Sequence, residues 1–386
     1  MDISRIAQAV DADAAVRRTQ EMVRIPAVTG QEKPMAEYVA VEMRKIGLHV
    51  TVDAAHNAVG ELRGSGGGRS LLLLTHTDSG PEGGMKDAYS GRLEDGAKYG
   101  TRGAVIYGRG ACTPKSGIAA MMGAVEALLK TRTPLRGRLL VAAVTKDLAA
   151  NHEGMKELHE TAPLNTDIVV AGEPSNGQIV LGARGIAHYE VTFQGVPTHW
   201  GRPAEGVNPL YGLADLLLAL ESWELPSHPH LGKATVSPFE VRSDANPPRT
   251  PHECRLRLDR RVLPDESTDH IQEDLQTMVD RVAARRKGLR GSAALAKAMF
   301  PFSIPPDAPV VGMLEEAARA ALGRKIGTTY ISFGSNAAYA IKAWGAQGCA
   351  LGAGDIRDVN ETEHIAVEGL VEAMKVYAAM AALACA

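Results

Sequence analysis

The residues of this chain best suited to chemistry stand at the ends of apolar runs. Leu71, Leu72, Leu73 and Leu74 are followed at once by Thr75, His76, Thr77 and Asp78. Four consecutive leucines predict a strand buried on both faces, as at the centre of a parallel sheet. In open α/β sheets, the carboxyl ends of such strands are where ligands and catalytic groups collect. An imidazole there, with a carboxylate two residues on, suits a metal ligand oriented by a hydrogen-bonded partner. The plainer reading is a His–Asp pair that caps the strand. Two further apolar runs end similarly: 139–144 in Thr145, Lys146 and Asp147, and 167–171 in Gly172, Glu173 and Pro174. Polar residues cap strands routinely, but three such ends along one sheet edge predict a polar site.

The surrounding pattern supplies elements to hold these ends. Residues 12–47 carry two helical periodicities separated by residues 25–30, the second closing on Gly47. Short strands are expected at 49–53 and 58–62, with a glycine turn before the leucine run. Residues 79–110 read as a long glycine-rich excursion, the kind of loop that is functional or mobile. The turn Gly108–Gly117 leads into an apolar helix at 118–129. It lacks both common phosphate-binding spacings, so nucleotide binding is not expected. From Ile186 the texture changes. Alternating strands at 188–194, 234–241 and 254–262 and helices at 208–222 and 269–285 suggest an inserted α+β sandwich. A helix at 313–321, a strand at 348–351 and a final helix at 367–384 complete the first pattern. The expected fold is therefore two-domain α/β: a sheet domain from 1–185 and 299–386, interrupted by an insert at 186–298.

Composition narrows the function classes. The chain has 386 residues, 45% hydrophobic and 23% charged, so two ordinary globular cores are affordable. A net charge of −3 gives no basis for nucleic-acid or membrane-surface binding. Cys112, Cys254, Cys349 and Cys385 have no paired spacing, which fits a reducing, cytoplasmic setting. No run of 18 apolar residues and no apolar leader core is present, so neither a membrane span nor secretion is expected.

The order of motifs resembles the metallopeptidase family of aminoacylases, acetylornithine deacetylase, succinyl-diaminopimelate desuccinylase and carboxypeptidase G. The matching pieces are VRIPAVTGQE, THTDSG, YGRGACTPKSGIAAM, AGEPS, GARG, GVPTHWGRPAEGVNPL and DRRVLPDES, spread over essentially the whole chain. The resemblance implies a two-metal zinc hydrolase fold, with a catalytic α/β domain and an inserted lid through which the protein forms a homodimer. It also implies a small, carboxylate-bearing amide or amino-acid-like substrate.

Carried over position by position, the metal site departs from the family. His76 and Asp78 match the first ligand and its orienting carboxylate, and Glu173 matches a later acidic ligand. The bridging aspartate falls on Thr113, the general base and its neighbouring ligand on Leu148 and Ala149, and the last histidine on Arg357. Catalytic zinc normally takes three protein ligands and a water, and a paired centre needs a shared carboxylate. The expectation is therefore no metal, or one weakly held zinc or manganese on His76, Glu173 and Asp147. Arg357 is expected to pair with Glu173, supply part of the missing positive charge and face the substrate; the plainer reading is a surface arginine pointing away from the cleft.

The substrate-facing positions are better kept. Arg184 in GARG resembles the arginine that grips a substrate carboxylate, and His199 resembles the lid histidine that steadies an oxyanion. Asn246 resembles a lid asparagine, and Ser335 and Asn336 stand in a glycine-rich turn that the family ends in aspartate. Asp259 and Arg261 read as structural. Without the glutamate base, His76, His199 or Lys146 would have to move the proton. Three functions follow: a divergent amidohydrolase with altered chemistry, a non-catalytic binding or regulatory homologue, and an ordinary zinc amidohydrolase with displaced ligands. For the last, Cys112, His152, Glu153, Asp355 and His364 are the candidates.

Overall fold

The computed structural model describes residues 2–244 and 247–386. The chain forms two compact units, Met1–Gly182 with Ser303–Ile331 and Ser335–Ala386, and Ala183–Phe302 with Ser332–Gly334.

The leucine run forms the strand Ser70–His76, in which every residue is buried. Burying each leucine side chain stabilises the unit by roughly 2 kcal/mol. The strand lies parallel to Arg138–Val144 on one side and Ile168–Ala171 on the other. Gln347–Ala350 extends the parallel set beyond Ile168–Ala171. Outside Arg138–Val144 come Ala58–Arg63 and then His49–Val52, both joined antiparallel. Towards the other edge the sheet continues through Ile179–Ala183 to the short strands Phe302–Ser303 and Thr328–Ile331. The helices Ser116–Lys130, Pro309–Leu322 and Val367–Ala384 contribute to the same aliphatic core as these strands. Gly123 allows two of them to touch, because a Cβ there would stand 2.1 Å from Met374 Sδ. Since the three central strands run in one direction, His76, Asp147 and Glu173 leave the sheet at the same edge.

The second unit carries a four-stranded antiparallel sheet in the order Thr235–Ser243, Glu253–Val262, Gly185–Gln194, Arg290–Met299. Helices Pro209–Glu221 and Thr268–Ala284 pack on it, and Tyr189, Phe193, Leu256, Leu216 and Leu275 share the core. Asn208 and Ser267 start these helices by accepting from the amides of Leu210 and Asp269, as short polar N-caps do. The edge strand Thr235–Ser243 leaves Phe239 and Val241 exposed.

Two expectations are corrected here. The excursion at 79–110 is not all loop: Arg92–Asp95 and Ala104–Tyr107 pair antiparallel, and His364–Ala366 adds a third strand from far along the chain. Arg290–Met299 is a strand that the sequence pattern did not signal, made by pairing with Gly185–Gln194.

Candidate functional site

Asp78 is the hub of the strand-end site. It is fully buried, and its carboxylate accepts from four donors. Oδ1 takes His76 Nδ1 at 3.1 Å and the Asp147 amide at 3.0 Å. Oδ2 takes the Leu148 amide at 3.0 Å and Thr29 Oγ1 at 2.9 Å. One carboxylate thus holds both the imidazole and the turn that follows Arg138–Val144. Burial opposes its charge, but His76, the Leu148 amide and Thr29 hold it below the usual carboxylate range.

His76 Nε2 faces Thr113 Oγ1 at 3.5 Å and Asp147 Oδ2 at 4.0 Å. Burial works against the imidazolium, yet Asp147, Asp78 and Glu173 outweigh it and raise its pKa to about 10. The two remaining carboxyls respond in the opposite sense. Burial and Asp78 push Asp147 up to about 6 against the pull of His76. Burial and Asp147 push Glu173 up to about 7, opposed by His76 and a hydrogen bond with Ser335. Asp147 Oδ1 is buried and has no hydrogen-bond partner among the described residues. Such an oxygen normally costs 1–3 kcal/mol and is retained where it serves a ligand or a proton.

The structure therefore brings His76, Asp78, Asp147, Glu173 and Ser335 together, with Thr113 against the imidazole. Asn336 is turned to a different task, its Oδ1 accepting from His152 Nδ1 at 2.8 Å. His152 is buried, and that burial drives its pKa down to about 4. Neither this contact nor the Ser335 hydrogen bond to Glu173 was visible in sequence; the glycine-rich turn marked the segment only.

Two expected roles are corrected. Lys146 is not a free proton carrier: its ammonium is paired with Glu153, which raises its pKa. Arg357 does not pair with Glu173. Its side chain is 83% exposed and forks onto Asp355, two residues away, at 3.0 and 2.5 Å. A local carboxylate within the same turn is cheaper to reach than one in a buried pocket. At the other positions that depart from the family, Leu148 keeps only its amide in the site and its side chain is 51% exposed.

The displaced-ligand candidates are occupied elsewhere. Cys112 is buried, donates to the Asp355 carbonyl at 3.3 Å, and has its thiol pKa raised by burial and Glu363. His364 Nδ1 contacts the Thr362 carbonyl at 3.0 Å, and its ring stacks on Tyr99. Among the described residues, no group of three or more His, Cys, Asp or Glu side chains is arranged to hold a metal ion.

In the second unit, Arg184 Nε donates to the Leu231 carbonyl at 2.9 Å, and a second guanidinium nitrogen reaches the same oxygen. Burial and the neighbouring Arg261 lower its pKa, and no carboxylate pairs with it among the described residues. His199 is exposed, and its Nδ1 accepts from the Gly201 amide at 3.1 Å. Asp259 bridges His188 and Arg261, a structural ion cluster as expected. Asn246 lies outside the described residues.

Residues 181–287 match the peptidase dimerisation domain of the M20 family. The chain is a homologue of the M20 peptidases. This M20 homologue is 30% identical over 210 residues to succinyl-diaminopimelate desuccinylase of Corynebacterium glutamicum, covering 53% of the chain and 54% of that relative. It thus spans about half the length of that relative. With the desuccinylase of Methylocella silvestris it shares 28% identity over 339 residues, 81% of the chain and 84% of the relative. Its fold is similar to a tripeptidase from Staphylococcus aureus, with a TM-score of 0.78 at 20% identity, covering 97% and 99% of the two chains. It is similarly close to an M20 family metallo-carboxypeptidase from Sulfolobus solfataricus, with a TM-score of 0.77 at 16% identity, covering 96% and 98%. No helix of the homologue, among its described residues, is long and apolar enough to cross a membrane.

Proposed function

We propose that this M20 homologue acts on a small carboxylate-bearing amide or amino-acid-like compound, using side-chain proton transfer in place of a dinuclear centre. The donor set does not fit two metals. Thr113, Leu148 and Ala149 offer no carboxylate, and Arg357 is tied to Asp355. The observation that carries the reading is Asp147, whose Oδ1 is buried without a hydrogen-bond partner among the described residues and whose Oδ2 stands 4.0 Å from His76 Nε2.

The chemistry would run on this chain's own groups. Asp147 takes a proton from water as the water oxygen attacks the amide carbonyl carbon. His76, fixed by Asp78, stabilises the negative charge that develops on the carbonyl oxygen. The carbon–nitrogen bond then breaks, and a protonated carboxyl, Asp147 or Glu173, returns a proton to the leaving amine. Two neighbouring carboxyls whose environments split their proton affinities are suited to these opposite tasks. Arg184, with no acidic partner among the described residues, is the group we assign to the substrate carboxylate. The dimerisation domain supports a homodimer, and four unpaired cysteines support a cytoplasmic setting.

A panel of N-acyl amino acids, assayed with and without chelator, tests the proposal. Turnover that resists chelation and disappears in Asp147→Asn is expected. Turnover that needs two added ions per chain would return the protein to ordinary metallohydrolase chemistry. Binding without turnover would make it a ligand-binding homologue, a reading favoured by the exposed Leu148 side chain at the base position.

A further inference from the structure

At the opposite edge of the sheet from His76, the first unit carries a second polar groove. It encloses about 360 Å³ between the loop of Gly64, Gly66, Gly67 and Gly68 and the turn at Arg136, Gly137 and Arg138. The loop is built closely onto that turn. Gly64, Ser65 and Gly66 donate their amides to the carbonyls of Gly137, Leu135 and Arg136 at 2.8, 2.9 and 2.7 Å. The turn is anchored from behind, because the amides of Arg136 and Gly137 both donate to the Cys385 carbonyl. A Cβ on Gly68 would come within 2.3 Å of the Gly137 nitrogen, so only glycine permits this approach.

Two features of the groove are left over. The amides of Gly67, Gly68 and Arg69 donate to nothing among the described residues. The guanidinium of Arg136 lies over the loop, 3.4 Å from where a Gly67 Cβ would stand, and forms no ion pair among the described residues. Arg69 forms no ion pair among the described residues either; its guanidinium donates to Met313 Sδ at 3.5 Å, and its charge helps hold Asp167 in the carboxylate form. Two carboxylates, Glu61 and Asp167, line the groove, and both are already engaged. Glu61 is taken by Arg63 at 3.0 Å and Arg138 at 3.9 Å, and Asp167 accepts from the amide and hydroxyl of Ser70 at 2.7 and 2.6 Å. Successive free amides in a glycine turn, flanked by unpaired guanidinium groups, make an anion-binding concavity.

We propose that this groove binds a phosphoryl group, carried by free phosphate or by a small phosphorylated metabolite. The loop amides would meet its oxygens while Arg136 and Arg69 supply the countercharge. The site is independent of the strand-end chemistry, so either proposal can fail without the other.

Titration calorimetry of the full chain with inorganic pyrophosphate tests it, with inorganic phosphate and a phosphorylated sugar as further probes. One saturable site per chain is expected, retained in Arg184→Ala. It should weaken about tenfold for each arginine removed in Arg136→Ala and Arg69→Ala. Retention of the wild-type thermal transition shows that a variant is folded. The change Gly67→Ala, which strains the loop backbone at φ +78°, should also weaken binding while removing no charge. Binding that survives in the Arg136→Ala, Arg69→Ala double variant, or that equimolar chloride abolishes, would overturn the assignment. A preference for the phosphorylated sugar over phosphate would identify a metabolite as the occupant; equal binding would identify the free ion.

Discussion

Replacing Asp78 with asparagine is the sharpest test of the hub. The carboxylate receives donors in pairs, His76 and the Asp147 amide on one oxygen, Thr29 and the Leu148 amide on the other. Asparagine has the same shape but one oxygen only. Whichever way its amide turns, an NH₂ group meets two donors, and one backbone amide loses its acceptor. A hydrogen bond to a charged group contributes roughly 1.5–3 kcal/mol, so local opening of that turn should become about ten- to hundredfold more frequent. Hydrogen exchange resolved at residues 146–149 reads this directly. The amide of Asp147 or Leu148 should exchange faster by that factor in Asp78→Asn. Amides within the strand Arg138–Val144 should stay unchanged. If both turn amides exchange within about twofold of the wild type, Asp78 does not hold the site and the argument from its four donors fails.

Other outcomes follow from the same geometry. Metal analysis of chain purified without chelator should return well under two ions per chain, and chelator should leave the thermal transition where it was; a firmly held pair would refute the side-chain chemistry. His152 is neutral when folded, its pKa lowered by burial from 6.5 to about 4. The unfolded chain therefore binds the extra proton, and stability should fall as pH drops from 6.5 towards 4, by up to about 3 kcal/mol. Denaturant midpoints across that range should lose this slope in His152→Gln; an unchanged slope would remove His152 from the account. Arg18 forks onto Glu126 at 3.0 and 2.8 Å and reaches Glu42 at 3.3 Å. Arg18→Met strands Glu126 and leaves Glu42 to Lys45 alone, and should cost about 2–3 kcal/mol, whereas Lys146→Met, at a partly exposed pair, should shift stability by less than about 1 kcal/mol in the same unfolding assay.

The architecture was legible where burial imposes a simple pattern. The four leucines, the run before Lys146 and the run before Glu173 each had to be strands, and their polar ends had to meet because parallel strands share an edge. Arg290–Met299 escaped because alanine and lysine favour helix locally; its strand form is imposed by Gly185–Gln194 across a long sequence separation. The short strands near Tyr107 escaped for a related reason, since their third partner begins at His364. In the site, motif register located Arg357 but not the direction of its side chain, which Asp355 decides. Likewise nothing in Ser335 or His152 as letters reveals that one bonds Glu173 and the other Asn336.

The Cys385 carbonyl fastens the turn at Arg136 and Gly137, and its thiol donates to the Arg138 carbonyl at 3.4 Å. The final helix is thus a latch on the groove wall as well as a piece of core. A shift of Val367–Ala384 within the core would therefore be passed on, through the Cys385 carbonyl, to Arg136 and Gly137 at the far end of the strands from His76.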